Sequence, residues 1–195
     1  MVRVLAVNNY PTEERFEKLR KCIDTTGADV TSISWNGTAA SKFSEFDGVV
    51  LSGSPDMMSE KGTQKKFRAE IEALRDSQVP ILGVCFGHQM MACAFGSRVI
   101  KDEENVLRFV KTTVLKDDPL FSGLPSEMML LESRHEIVES LPEGFSLLAR
   151  SETSPIAAMK HQRRPLYGVQ FHPERYSQEN PAGMKVVGNF VRLLG

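Results

Sequence analysis

The chain has 195 residues, 41% of them hydrophobic, with 24 Lys and Arg against 25 Asp and Glu and a formal net charge of −1. At that length roughly 70% of the unfolded chain's surface is buried on folding, so one domain over residues 1–195 needs neither disulfides nor a structural metal. Balanced charge offers no footprint for nucleic acid or an anionic membrane, no apolar run approaches the roughly 20 residues that span a bilayer, and the unpaired spacing of Cys22, Cys85 and Cys93 suits neither a secreted disulfide framework nor a zinc site. A cytoplasmic protein with free thiols is expected.

Apolar segments alternate with amphipathic ones in the first half, a rhythm that predicts strand–helix–strand units around a parallel sheet. Residues 2–7 form a short buried strand, since no long apolar stretch with a cleavage site marks them as a secretory signal. Asn8, Asn9, Tyr10 and Pro11 turn the chain, Thr12 caps a helix with Phe16, Leu19 and Ile23 on one face, and Gly27 ends it. Residues 30–35 return as a strand, and residues 48–52 form another that breaks at Gly53, Ser54, Pro55 and Asp56. A helix over about residues 64–76 buries Phe67, Ile71 and Leu74, with Pro80 enforcing the boundary. Residues 81–84 are a fourth strand and residues 87–95 the helix after it. Beyond residue 100 the strand candidates shorten, at 109–115, 128–131, 145–149, 156–160 and 166–171, and read as antiparallel additions to a mainly parallel core. Glu143 with Gly144, and Arg163 to Pro165, are turns between them. A last helix over residues 183–194 turns Met184, Val187, Phe190, Val191 and Leu194 inward. The fold class is α/β, a mainly parallel sheet flanked by helices with antiparallel strands in the C-terminal half.

Cys85 lies where the buried strand meets the helix that begins near Gly87. Such a turn puts its side chain at the carboxyl edge of a parallel sheet, where ligand crevices form. It also faces a helix N-terminus, whose partial positive charge and free N–H groups favour thiolate over thiol. Gly83 permits close packing before the turn and Gly87 a tight path after it, as in the serine-centred elbow of hydrolases. On these residues alone a buried structural cysteine is an equal alternative, and it is the reading that Cys22 and Cys93 invite within their apolar helical patterns.

A cysteine nucleophile needs a group to take its proton and later hand it to the leaving amine. Of the four histidines, His88 shares the helix of Cys85 but points back along it, and His161 sits by a turn and reads as solvated. His172 ends an apolar strand, Pro173 fixes the direction of the chain, and Glu174 follows within reach of the imidazole, which meets the logic of a triad. A His and a Glu at an ordinary strand end is the competing reading.

These residues resemble the class I glutamine amidotransferases, whose Cys–His–Glu triad is carried by a G-x-C-x-G-x-Q segment and a later H-P-E segment. Here those are Gly83, Cys85, Gly87 and Gln89, then His172, Pro173 and Glu174, in family order and each at the end of an apolar strand. The resemblance covers nearly the whole chain and implies the family's flavodoxin-like fold. It implies that Cys85 attacks the side-chain amide of glutamine, forming a γ-glutamyl thioester and releasing ammonia, that His172 shuttles the proton, and that Glu174 holds the imidazole. Gln89 matches a position that helps seat glutamine, although a packing or capping role is open to it. The family draws oxyanion N–H groups from the residue after the nucleophile, here Phe86, and from a Gly-Gly-Pro loop, here Gly53, Ser54 and Pro55. Ser54 departs from that pattern, and a positive φ there would be strained.

Within the family, residues 141–145, 151–161 and 165–174 resemble the glutaminase portion of GMP synthetases. That implies a separate small subunit with no cofactor or metal of its own, glutamine as its ligand, and an ATP-pyrophosphatase subunit holding ATP and Mg as its partner. Ser133, Arg134, His135 and Glu136 stand where that subgroup shows Ser-His-x-Asp. Ser133 and the backbone of His135 fit a role at glutamine's α-substituents, whereas Arg134 and Glu136 are changes that suit another ammonia acceptor as well. A thiol hydrolase of γ-glutamyl or peptide bonds would use the same nucleophile and base.

Overall fold

An N-terminal run that is apolar at consecutive positions can be buried on both faces only inside a sheet covered on both sides. In the computed structural model, which describes residues 1–37 and 40–195, it is β1 (Arg3–Asn8), second in a nine-stranded sheet. The chain continues through α1 (Glu13–Asp24), β2 (Asp29–Ser34), α2 (Ala40–Phe43), β3 (Gly48–Leu51), α3 (Thr63–Lys66), α4 (Arg68–Asp76), β4 (Ile81–Val84) and α5 (Phe86–Ala94). It then runs through β5 (Val99–Val114), β6 (Glu127–Val138), β7 (Phe145–Ser151), β8 (Ala158–His161), β9 (Leu166–Val169) and α6 (Ala182–Arg192). The strand order is β2-β1-β3-β4-β9-β8-β7-β5-β6, parallel from β2 to β9 and antiparallel from there on.

Strand alternation divides the core in two. Val4 and Ala6 of β1 face a cluster with Phe16 and Leu19 of α1 and Val186 and Phe190 of α6, while Leu5 and Val7 face Ile71 and Leu74 of α4 and Met90 of α5. The α/β class is as expected, and several details differ. β9 joins the two halves, antiparallel to β8 as expected but also parallel to β4, because the intervening hairpins return the chain to the open edge of β4. β5 and β6 are far longer than residues 109–115 and 128–131. Their extra length is largely polar and half exposed, with a register shift between Lys101 and Val106, so no apolar run marks it.

The helix over residues 64–76 is broken at Phe67, whose ring lies 4.8 Å from those of both Trp35 and Phe86; packing overrides helical continuity there. Thr12 stands at the N-cap of α1 without a side-chain hydrogen bond. Met184 is exposed on α6, whose buried face is Val186, Val187, Phe190 and Val191, and Leu194 lies past its end. His161 is not simply solvated, since its ring packs between Phe95 and Phe145 and its Nδ1 accepts from the N–H groups of Arg163 and Arg164. Among the described residues no helix is long and apolar enough to cross a membrane.

Candidate active site

The parallel strands β1, β3, β4 and β9 all end at one edge of the sheet, and the residues that follow them line a single cleft of about 480 Å³. Cys85 follows β4. Its φ of 50° and ψ of −97° make it the one non-glycine residue with positive φ among the described residues, and it is the N-cap of α5. Two glycines make the turn possible. A Cβ on Gly83 would lie 2.6 Å from the backbone of Gly87, and one on Gly87 would lie 2.8 Å from the carbonyl oxygen of Leu51. The Cys85 N–H donates to the Val169 carbonyl at 2.8 Å, so the nucleophile's backbone is tied to the strand that leads to His172.

His172 follows β9 and is placed by its own N–H, which donates to the Leu131 carbonyl of β6 at 2.7 Å. Its Nδ1 lies 2.7 Å from Oε1 of Glu174, and both side chains are buried. Burial works against a charge on His172, but the neighbouring Glu174 carboxylate and the Cys85 side chain outweigh it and hold its pKa well above the ordinary value. The Cys85 Sγ also lies 3.6 Å from the Ser133 carbonyl oxygen and 3.6 Å from Nε2 of Gln170. His88 is turned away, buried against Gly168, and burial pushes its pKa down to about 4, which leaves it neutral.

Ser54 and Pro55 form the cleft's wall opposite, after β3. Ser54 has no positive φ, so the strain expected of a serine in place of glycine is absent. Its Oγ accepts from the Asp56 N–H at 3.1 Å, a local turn that holds the segment, and Asp56 pairs with Lys66 at 2.8 Å. Glu136 explains its own departure from the family pattern: its buried carboxylate accepts from the N–H groups of Met58 and Ser59 at 2.8 and 3.0 Å, joining this loop to β6.

Arg134 belongs to a different arrangement. Its buried guanidinium pairs with Glu132 at 2.9 Å and with Asp102, and bonds to Ser154 Oγ and the Thr153 carbonyl. Gln89 lines the cleft and donates to the Glu136 carbonyl at 3.1 Å and to Gln170 at 3.3 Å. Ser133 and His135 line it too, the exposed His135 ring lying 2.6 Å from Asn105 Oδ1. Phe86 is buried at the first turn of α5, directly after Cys85, and its ring packs on Phe67.

The structure therefore brings Cys85, His172, Glu174, Ser54, Gln89, Ser133 and His135 together around one cleft, with Phe86 beneath it. Sequence reasoning missed Tyr10 and the charged rim of Glu14, Arg15, Lys18 and Arg175, and Gln170, whose Nε2 lies against Cys85 Sγ. Tyr10 sits just past β1 at the same sheet edge, which is the one signal that pointed to it. Over residues 12–193 the chain matches the family described as glutamine amidotransferase class-I. The chain belongs to that family. Among curated relatives, a glutamine-hydrolyzing GMP synthase subunit of Pyrococcus abyssi is 40% identical over 148 residues, 76% of each chain. The corresponding subunit of Archaeoglobus fulgidus is 36% identical over 163 residues, 84% of each chain. A solved Thermoplasma acidophilum protein that is 28% identical superimposes with a TM-score of 0.88 over 100% of this chain and 94% of its own. A Thermotoga maritima glutamine amidotransferase, 19% identical, shares this class I fold at a TM-score of 0.72 over 90% of this chain and 77% of its own.

Proposed function

We propose that this class I amidotransferase, acting as one unit over residues 1–195, is the glutaminase subunit of a two-subunit GMP synthase, with Cys85 as nucleophile, His172 as general acid and base, and Glu174 as the orienter of His172. The observation that carries the chemistry is the positive-φ Cys85 at a helix N-cap, in one cleft with an imidazole whose Nδ1 is 2.7 Å from a buried carboxylate. Cys85 Sγ bonds to the amide carbon of glutamine, and the proton held on His172 leaves with the amine as ammonia. Water, deprotonated by His172, then breaks the thioester and frees glutamate. The N–H groups of Phe86 and Ser54 are the donors for the intermediate oxyanion, each worth about 3 kcal/mol in such a site. Gln89, Ser133 and His135 bound the space for the rest of the glutamine.

The GMP assignment rests on the identities of 36–41% with proteins named as subunits of glutamine-hydrolyzing GMP synthase. A partner subunit would use the ammonia on an activated xanthosine monophosphate, holding ATP and Mg itself. We place the pair in the cytoplasm, where free thiols such as Cys22 and Cys93 persist. The test is glutamate release from glutamine by wild type and Cys85→Ala, each alone and with a candidate ATP-pyrophosphatase subunit, ATP and xanthosine monophosphate. Release should depend on Cys85, fall at least ~10³-fold in the variant, and rise with the partner while GMP appears. Cys85-dependent release that ignores the partner would remove the GMP role. Turnover of peptides in preference to glutamine would make the protein a thiol hydrolase.

A further inference from the structure

Glu70 projects from α4 into the space beneath the loop that follows β3, away from the reacting atoms, and is 1% exposed. Its Oε1 accepts from Nδ2 of Asn9 at 3.0 Å. Two buried oxygens of the same two groups, Glu70 Oε2 and Asn9 Oδ1, have no hydrogen-bond partner. Two acceptors cannot satisfy each other, and a carboxylate buried without a cation is costly. One proton resolves both, because Oε2–H can donate to Oδ1 and close a cyclic acid–amide pair.

We infer that Glu70 is held as a neutral carboxylic acid in a reciprocal two-bond pair with the carboxamide of Asn9, and that this pair positions the Gly53–Ser54 segment beside His172. The connection is short. Asn9 Nδ2 also donates to the Ser52 carbonyl, the Asn9 N–H donates to Ser52 Oγ at 2.9 Å, and Ser52 Oγ donates to the Gly53 carbonyl at 2.9 Å. Gly53 packs so closely on the site that a Cβ there would lie 2.5 Å from the Tyr10 hydroxyl and 3.0 Å from His172 Cε1.

Charged groups around Glu70 are committed elsewhere. Lys66, one turn earlier, pairs with Asp56; Glu13 of α1 accepts from Asn8; His172, beyond Gly53, is held by Glu174 and Cys85. Burial is the main influence on the acid and raises its pKa to about 8, against a smaller lowering by Asn9. Glu70 is thus a positioning residue. Its ionisation breaks one bond of the pair and puts a charge under the loop that carries the Ser54 N–H.

The inference rests on the proposed role of that loop in glutamine hydrolysis, so the test has one arm that needs no glutamine. Glu70→Gln presents the same donor and acceptor pattern without a titrating proton. It should fold and retain glutaminase activity at pH 6.5, where Glu70→Ala loses most of it. At pH 9, one unit above that pKa, its rate relative to wild type should rise by up to about tenfold. In the second arm, the folded wild type binds a proton that the unfolded chain has released between pH 4.5 and about 8, so its stability falls across that window and Glu70→Gln escapes the fall. The thermal midpoint of Glu70→Gln should therefore gain on that of wild type from pH 5 to pH 8, whether or not glutamine is hydrolysed. A Glu70→Gln that fails to fold or is as impaired as Glu70→Ala overturns the inference. So does a midpoint difference that stays constant with pH.

Discussion

Cys85 holds a backbone conformation that costs a non-glycine residue about 1–3 kcal/mol, a strain that survives only where the surroundings impose it. Here they do so through β4 on one side and α5 on the other, and the turn sets Cys85 in the cleft that His172 also lines. Glu174 then decides the protonation of that imidazole, because burial alone would make it neutral. Glu174→Gln keeps the shape of the pair and removes the charge, so the pKa of His172 should fall. Hydrolysis of glutamine should drop on the order of 10³–10⁴-fold, as when the carboxylate of a serine triad is made an amide. The charge pairing also stabilises the fold. Because the folded pKa of His172 is raised, that contribution is complete below the ordinary histidine pKa of about 6.5 and is lost as pH rises through the raised value. Urea midpoints of wild type and Glu174→Gln should differ more at pH 6 than at alkaline pH; a rate within tenfold of wild type would remove Glu174 from the mechanism.

The elements act on the site mainly through close backbone approach. α6 enters the structure against the turn that carries His172 and Glu174, where a Cβ on Gly183 would collide with the backbone of Pro173. Gly183→Ala must therefore move either the helix or the turn. We expect it to cost roughly 1–3 kcal/mol and to lower kcat for glutamine without altering any side chain in the cleft. Gly188, on the same helix, has nothing within 4 Å of its would-be Cβ. There the helix gains from alanine, and Gly188→Ala should raise stability by about 0.5–1 kcal/mol with unchanged turnover. Chemical denaturation and steady-state kinetics of the two variants test the contrast, and a Gly183→Ala protein as stable and active as wild type would refute it. Elements of this kind were legible where burial was two-sided. β3 and β4 are apolar throughout and β1 from Val4 to Val7, whereas β5 carries a polar, mostly exposed stretch from Lys101 to Asn105 and no long apolar run to mark its 16 residues.

Across the whole molecule, the parallel half supplies the reacting groups and the antiparallel half supplies a wall that braces them. Cys85, His172 and Glu174 could be read from the sequence because each stands at or just past the end of an apolar strand. Tyr10 could be read only by its place after β1, and Glu70 and Gln170 could not, because their roles depend on which strand ends meet, and the sheet order alone decides that. Arg134 and Glu136 stood out in the sequence only as changes from the family pattern; their partners show what each does in the fold. Glu132 accepts from Ser151, Thr153 and Ser154 as well as from Arg134, and Arg134 reaches Asp102 on β5, so one buried network fastens β5, β6 and the loop after β7. The same strand carries the Ser133 carbonyl against Cys85 and the Glu136 carboxylate against the loop of Ser54. Removing one partner of a buried pair leaves the other charge uncompensated, so Arg134→Ala should cost about 3–5 kcal/mol. Arg134→Met combined with Glu132→Gln, which discharges both members while keeping their volume, should recover much of that loss, with a coupling of about 2 kcal/mol in the double-mutant cycle. Urea unfolding of wild type, Glu132→Gln, Arg134→Met and the double variant measures it. Strict additivity would mean that the wall stands without the network and that these two charges act separately.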